Sequence, residues 1–264
     1  MTETAVATAQ GREVVLEAER LKKAYETKTL EPIVALEALD FEVFRGEFVA
    51  LVGPSGCGKS TLLSLIGGLL APSEGELTYC GQRIDGPRPE IGMMFQAPVL
   101  FPWRTTLENI FLPIDVKKES RSDHRGRALS LLETVGLTEF ADRYPGELSG
   151  GMQQRTALCR LLLQDPDVLL LDEPFGALDE FTREAMNLEL LSLWDGTGKT
   201  VILVTHNIQE ALFLSDRVFV MSPRPGRLTC VVESELRHPR EIAMMHSRSF
   251  QDSVFEVRRL LGVA

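Results

Sequence analysis

The spacing of apolar positions changes several times along the chain, and each change marks an element. Between Val14 and Phe44 the alternations Val14/Leu16/Ala18 and Leu39/Phe41/Val43 predict antiparallel strands with one buried face. Glu47–Val52 is a short, mostly apolar, β-branched run, the pattern of a strand buried on both faces. At Lys59–Ile66 the spacing turns helical. A turn at Pro72–Gly75, a strand pair around Gly81 and a short buried strand over Ile91–Phe95, ending at Gln96, follow. From Ala97 to about Leu163 the strand signal disappears. Ser122–Val135, with Leu129, Leu131, Leu132 and Val135 on one side, reads as an amphipathic helix, and so does Gly151–Leu163. After Pro166 the rhythm alternates again: strand Val168–Leu171, helix Thr182–Trp194, strand Val201–Val204, a helix from Ile208, and strand Val218–Met221. Ser222–Ala264 predicts a further strand pair and a helix whose Phe250, Val254, Val257 and Leu261 recur at core-packing intervals.

Composition narrows the class. A chain of 264 residues, 44% of them hydrophobic, can bury an ordinary core. Its formal net charge of −10 argues against a nucleic-acid partner, which calls for a basic face. Cys57, Cys80, Cys159 and Cys230 stand singly, with neither paired nor metal-type spacing, and read as reduced thiols in a cytosolic setting. The longest apolar stretch, Leu62–Ala71, is far short of the roughly 18 residues of a membrane helix. No basic-then-apolar leader pattern opens the chain. If the protein works at a membrane, it borrows spanning helices from another chain.

Chemistry enters at Gly53-Pro54-Ser55-Gly56-Cys57-Gly58-Lys59-Ser60, which fits the phosphate-binding loop G-x-x-x-x-G-K-[ST]. The pattern arises by chance in roughly one chain in a hundred of this length. The strand before it and the helix after it supply the context the loop requires. Glycines let successive N–H groups, including that of Cys57, face inward as an anion nest at a helix start. Lys59 then reaches the β- and γ-phosphates, and Ser60 is placed for Mg²⁺. The whole segment Gly53–Thr61 is the predicted nucleotide cradle.

A second run, Leu148-Ser149-Gly150-Gly151-Met152, resembles the signature of the ATP-binding cassette (ABC) ATPases. With it, Val168–Pro174 resembles a Walker B strand, Gly176–Asp179 the D-loop, Gln96 the Q-loop glutamine and Thr205-His206 the switch histidine, all in family order. Tyr25 stands where that family stacks an aromatic on adenine. The resemblance implies an α/β fold: an ABC-type phosphate-loop core with an antiparallel β subdomain and an inserted helical subdomain at about 97–163. It implies one domain over 13–264 with an extension at about 222–264, behind a flexible tail at 1–12. It further implies that Asp172, Ser60 and Gln96 serve Mg²⁺, that Glu173 is the general base, and that His206 orients the attack with Gln96. Ser149, Gly150 and Gly151 are implied to face ATP held by a second copy, in a head-to-tail dimer. Met152 departs from the commoner glutamine.

Three uses of such a site compete. A phosphate-loop kinase or GTPase fails on the signature and lacks a guanine motif such as N-K-x-D. A non-transport ABC ATPase would carry coiled-coil, zinc or second-cassette insertions, for which the gap between loop and signature is too short. There remains the ATPase subunit of an importer, peripheral at the cytoplasmic membrane face, with a separate permease and a substrate-binding protein. The cassette of a lipoprotein-release or cell-division complex is the alternative. Pro98–Thr105, Met221–Arg227 and the methionine at 152 resemble the nitrate/sulfonate/taurine group of importers. That implies a small anionic or heterocyclic nutrient as cargo. Phe101 and Trp103 are expected at the join of core and helical subdomain, Trp103 either in a permease groove or as a buried anchor.

Overall fold

The computed structural model describes residues 12–28, 31–176 and 178–263. Residues 1–11 of the predicted tail, and Ala177 of the predicted D-loop, lie outside the described residues.

Two sheets form the frame. β1 (Val14–Tyr25) pairs antiparallel with β2 (Ile33–Phe44) and with β4 (Glu74–Tyr79), which carries the short β5 (Gln82–Arg83) on its far side. The second sheet has the order β10-β9-β3-β8-β7-β6. Its strands β6 (Ile91–Met94), β7 (Val168–Asp172), β8 (Thr200–Val204), β3 (Phe48–Val52) and β9 (Arg217–Met221) are parallel, and β10 (Leu228–Glu233) closes one edge antiparallel to β9.

Strand alternation splits the core in two. Val49, Leu51, Val168, Leu170, Ile202, Val204 and Phe219 face α1 (Lys59–Ile66) and the antiparallel sheet. Their neighbours Phe48, Ala50, Val52, Leu169, Leu171, Val201 and Leu203 face the helices on the other side. Strands covered on both faces leave no polar side, which is why their sequences are continuous apolar runs.

On the helical face, α2 (Thr106–Ile110), α3 (Leu112–Lys117), α4 (Arg121–Thr134) and α5 (Gly150–Gln164) fill the stretch between β6 and β7. A capping box starts α2: Thr105 Oγ1 accepts from the Glu108 N–H while Glu108 Oε2 accepts from the Thr105 N–H. Helices α6 (Glu180–Trp194), α7 (Ile208–Leu214) and α8 (Arg248–Leu260) complete that layer, each begun by a side-chain cap, Asp179, Asn207 and Ser247. Phe250, Val254 and Val257 are buried in it as their spacing implies.

Two element readings need correction. Chain reversal at Pro72 is complete by Ser73, and Gly75 lies inside β4 with φ 79°, where a side chain would run into the Arg20 backbone. After Ser222 there is one strand rather than a pair, because β10 takes its partner, β9, from the central sheet. The helices α2 and α3 are too short to show a period and escaped the pattern.

Candidate functional site: a nucleotide cleft at the carboxyl edge of the parallel sheet

Parallel strands present all their carboxyl ends at one edge, where ligands of open α/β sheets bind. Here that edge gathers the phosphate loop after β3, Gln96 after β6, Asp172 and Glu173 at the end of β7, and Thr205-His206 after β8. Residues nearly 150 positions apart become neighbours through hydrogen-bonded register alone.

The loop folds as its glycines demand. Gly56 and Gly58 have φ of 75° and 104°, and a Cβ at Gly58 would lie 2.5 Å from the Leu36 side chain. Gly58 is the N-cap of α1, so the first N–H groups of that helix open toward the cleft. Lys59 Nζ bonds the carbonyls of Gly53 and Pro54 at 2.8 and 3.1 Å, holding its charge over the loop. Cys57 differs from its predicted use: its N–H closes a turn onto Pro54 O at 3.3 Å, and its side chain is buried in the core beneath the loop.

A cleft of about 360 Å³ runs along this loop, lined by Tyr25, Ser55, Gly56, Lys59, Thr61 and Glu173 among others. Tyr25 is 39% exposed and its hydroxyl lies 3.3 Å from Thr61 Oγ1, so an aromatic side chain stands beside the helix start. Ile33, Ala35 and Arg224 also line the cleft. Spacing did not single them out: Ile33 and Ala35 fall in a stretch predicted as strand, and Arg224 drew notice only as one residue of the Met221–Arg227 resemblance.

At the other end, two groups converge on one carboxylate oxygen. Gln96 Nε2 donates to Glu173 Oε2 at 3.2 Å, and His206 Nδ1 approaches the same oxygen at 3.4 Å. Glu173 holds a left-handed φ of 45°, rare for a residue with a side chain, while its N–H bonds Val204 O at 2.9 Å. Gln96 is fixed from behind, since Gln154 Nε2 donates to its carbonyl at 2.8 Å. Behind His206, the Thr205 hydroxyl donates to the buried Glu210, whose carboxyl is pushed up chiefly by that burial.

Ser60 Oγ donates to Asp172 Oδ1 at 3.2 Å. Burial raises the Asp172 carboxyl above the usual carboxylate range; the Ser60 bond opposes this, and the charge of Glu173 adds to it. The Lys59 charge also works against the rise, and the hydroxyl beside the carboxylate is a hard-oxygen donor pair that fits Mg²⁺. Gln96 is drawn to Glu173 instead of to this pair.

Ser149 caps α5, accepting from the Met152 N–H at 3.3 Å. Ser149 and Gly150 are exposed, and neither they nor Gly151 line the cleft of their own chain. Met152 packs against the helical core. Trp103 is 70% exposed and stacked on Phe101, with ring centroids 5.0 Å apart, so it is no buried anchor. A second cavity of about 450 Å³ in the helical block involves Arg121, which is already paired with Asp115.

A glycine loop at a helix start, a hydroxyl–carboxylate pair and a clamped glutamate define a phosphate-loop nucleotide-binding protein. Residues 36–176 match the family described as ABC transporter. A taurine import ATP-binding protein of Jannaschia sp. is 48% identical over 196 residues, covering 74% of this chain and 73% of that one. An aliphatic sulfonates import ATP-binding protein of Bacillus cereus is 45% identical over 228 residues, covering 86% and 88%. An uncharacterized ABC transporter ATP-binding protein of Methanocaldococcus jannaschii is 41% identical over 244 residues, covering 92% and 91%. Among solved structures, a dimeric bacterial ABC transporter cassette superposes with a TM-score of 0.75 at 35% identity, covering 84% of this chain and 100% of that one. The chain belongs to the ABC transporter family.

The conformation of Gly58 gives a direct check on the cleft. Gly58→Ala is expected to cost about 1–3 kcal/mol of stability, from a side chain at φ 104° pressed on Leu36. ATP affinity should fall by more than about tenfold as the cradle shifts. Thermal unfolding and a fluorescent-nucleotide titration measure the two, and wild-type values in both would mean that the loop tolerates the side chain.

Proposed function

We propose that this chain is the ATP-hydrolysing subunit of an ABC importer, working as a head-to-tail dimer on a separately encoded permease. The observation that carries the reading is the convergence of Gln96 and His206 on Glu173, beside a phosphate loop and the Ser60–Asp172 pair. Names of similar proteins supply the direction of transport, since they are taurine and sulfonate import ATP-binding proteins. No described helix is long and apolar enough to cross a membrane. The subunit therefore acts through a permease at the cytoplasmic membrane face, with a substrate-binding protein on the far side. A small sulfonate-like anion is the cargo class those names support.

In the catalytic cycle, adenine stacks on Tyr25 and the triphosphate lies along Gly53–Thr61. Lys59 exchanges its loop carbonyls for β- and γ-phosphate oxygens. Ser60 and Asp172 would hold Mg²⁺, which neutralises charge on the phosphates when bound. Glu173 accepts hydrogen-bonding from the attacking water through the oxygen not engaged by Gln96 and His206, raising that water's nucleophilicity. Its position is over-determined by the backbone bond to Val204 and by the two side chains. Gln96, bonded to Glu173 on one side and to Gln154 of α5 on the other, links the chemistry to the helical block. Ser149, Gly150 and Gly151 close over the γ-phosphate of the second copy: glycines allow near approach and the start of α5 favours the anion. The dimeric assembly of a similar cassette supports that geometry. Residues 13–264 act as one cassette.

Docking is tested at Trp103. A large, exposed, stacked aromatic pair next to the Gln96 segment is suited to burial by a partner. Trp103→Ala is expected to leave the melting temperature and ATP binding unchanged, because the side chain is mostly in water. Permease association should weaken by about 2 kcal/mol or more, and uptake of a sulfonate by reconstituted vesicles should uncouple from hydrolysis. Normal permease binding together with full uptake would remove Trp103 from the interface.

A further inference from the structure

The turn from β9 to β10, residues 222–227, is hydrogen-bonded to β2 of the hairpin that carries Tyr25 and packs close against the phosphate loop. The Gly226 N–H donates to Ala35 O at 2.9 Å, and its carbonyl accepts from the Glu37 N–H at 3.0 Å. A Cβ at Gly226 would overlap the Cys57 carbonyl, so only glycine lets the turn lie this close beneath the loop. Inside the turn, Ser222 Oγ accepts from the Arg227 N–H at 3.0 Å, and the Ser222 N–H donates to Arg227 O at 2.9 Å. The Arg227 side chain pairs with Glu37 at 2.7 Å. A surface connection needs none of these ties to join two strands.

Arg224 stands at the tip of this fixed turn and lines the same cleft as Tyr25 and Lys59. It makes no hydrogen bond or ion pair with any other described residue, whereas Arg227, three positions on, is paired. Among the described residues Lys59 is the other cation lining the cleft, and its Nζ lies at the phosphate loop. A guanidinium presents a planar fork of donors suited to phosphate oxygens and hydroxyls, and the exposed Arg224 is carried on a turn whose backbone is hydrogen-bonded to β2. Arg224 lines the cleft together with Tyr25, Ile33 and Ala35, and on the ATP-binding reading the ribose and α-phosphate lie between a base on Tyr25 and phosphates at Lys59. We propose that Arg224 is a further nucleotide-binding residue, contacting the ribose and α-phosphate of the bound nucleotide. This rests on the ATP-binding reading above.

The contact is independent of the γ-phosphate, and that makes it testable. Titration of Arg224→Ala with fluorescent ATP and ADP is expected to show both Kd values raised by about tenfold, the effect of one partly exposed charge-assisted bond. Arg224→Lys should recover part of the loss. In steady-state ATPase assays the fall in kcat/KM should reside in KM. Unchanged thermal unfolding shows that the turn survives, and Arg224→Gln serves if the alanine variant does not fold. Kd values within twofold of wild type for both nucleotides would overturn the assignment, as would weakened ATP with unaltered ADP. Lys59→Ala in the same titration separates the two claims. If the wild type itself fails to bind ATP, the underlying reading falls with the proposal. If the wild type binds, Lys59→Ala does not, and Arg224→Ala matches the wild type, only the role of Arg224 is lost.

Discussion

Glu173→Gln is expected to lower ATP hydrolysis by at least roughly 10²-fold while nucleotide binding persists. Glutamine is the same size, so it can keep the left-handed backbone and the place between Gln96 and His206. What it loses is the negative oxygen that polarises water. The groups proposed to grip the triphosphate, Lys59, Ser60 and Asp172, remain, and removing the carboxylate next to Asp172 takes away the charge that raises it. Binding without turnover should trap ATP at the interface, so dimers should accumulate and be seen by size-exclusion chromatography. Near-normal turnover in this variant would assign the base elsewhere.

The second large effect is complementation between two inactive subunits. A Ser149→Arg chain is defective in the signature and a Lys59→Ala chain in the phosphate loop, and each homodimer should be inactive. In the mixed dimer one composite site joins the intact loop of the first chain to the intact signature of the second. Some hydrolysis should return. The physical ground is that Ser149 and Gly150 lie exposed at a helix start outside the cleft of their own chain. On the proposed head-to-tail dimer they meet the γ-phosphate held by the second copy. Absence of recovery in proven heterodimers would argue for a site complete within one chain.

Much of this was legible in the chain because it depends on local chemistry. The bounds of α1 follow from Gly58 and the helical run after it. The buried strands announce themselves as short continuous apolar runs, and Asp172-Glu173 sits at the end of one. Motifs such as the phosphate loop and the Ser149 cap are legible for the same reason: their backbone demands are met within a few residues. Helices α2 and α3 were not, since five or six residues hold no period. After Ser222 one strand forms where a pair was expected, because the single strand β10 folds straight back on the preceding β9 across residues 222–227 and needs no second new strand.

What the sequence determined by itself is the buried strands, the longer helices, the phosphate-loop motif and the family order of the candidate residues. Tertiary structure alone decided the strand order β10-β9-β3-β8-β7-β6, which brings Gln96, Glu173 and His206 to one oxygen. It also decided that Trp103 stands in solvent, that the Cys57 N–H closes a turn, and that Arg224 borders the nucleotide cleft. Side-chain alternation tells a strand which faces to bury but not which strand lies beside it. That choice is made by hydrogen bonding and packing between segments far apart in the chain, and the site is assembled at the same step.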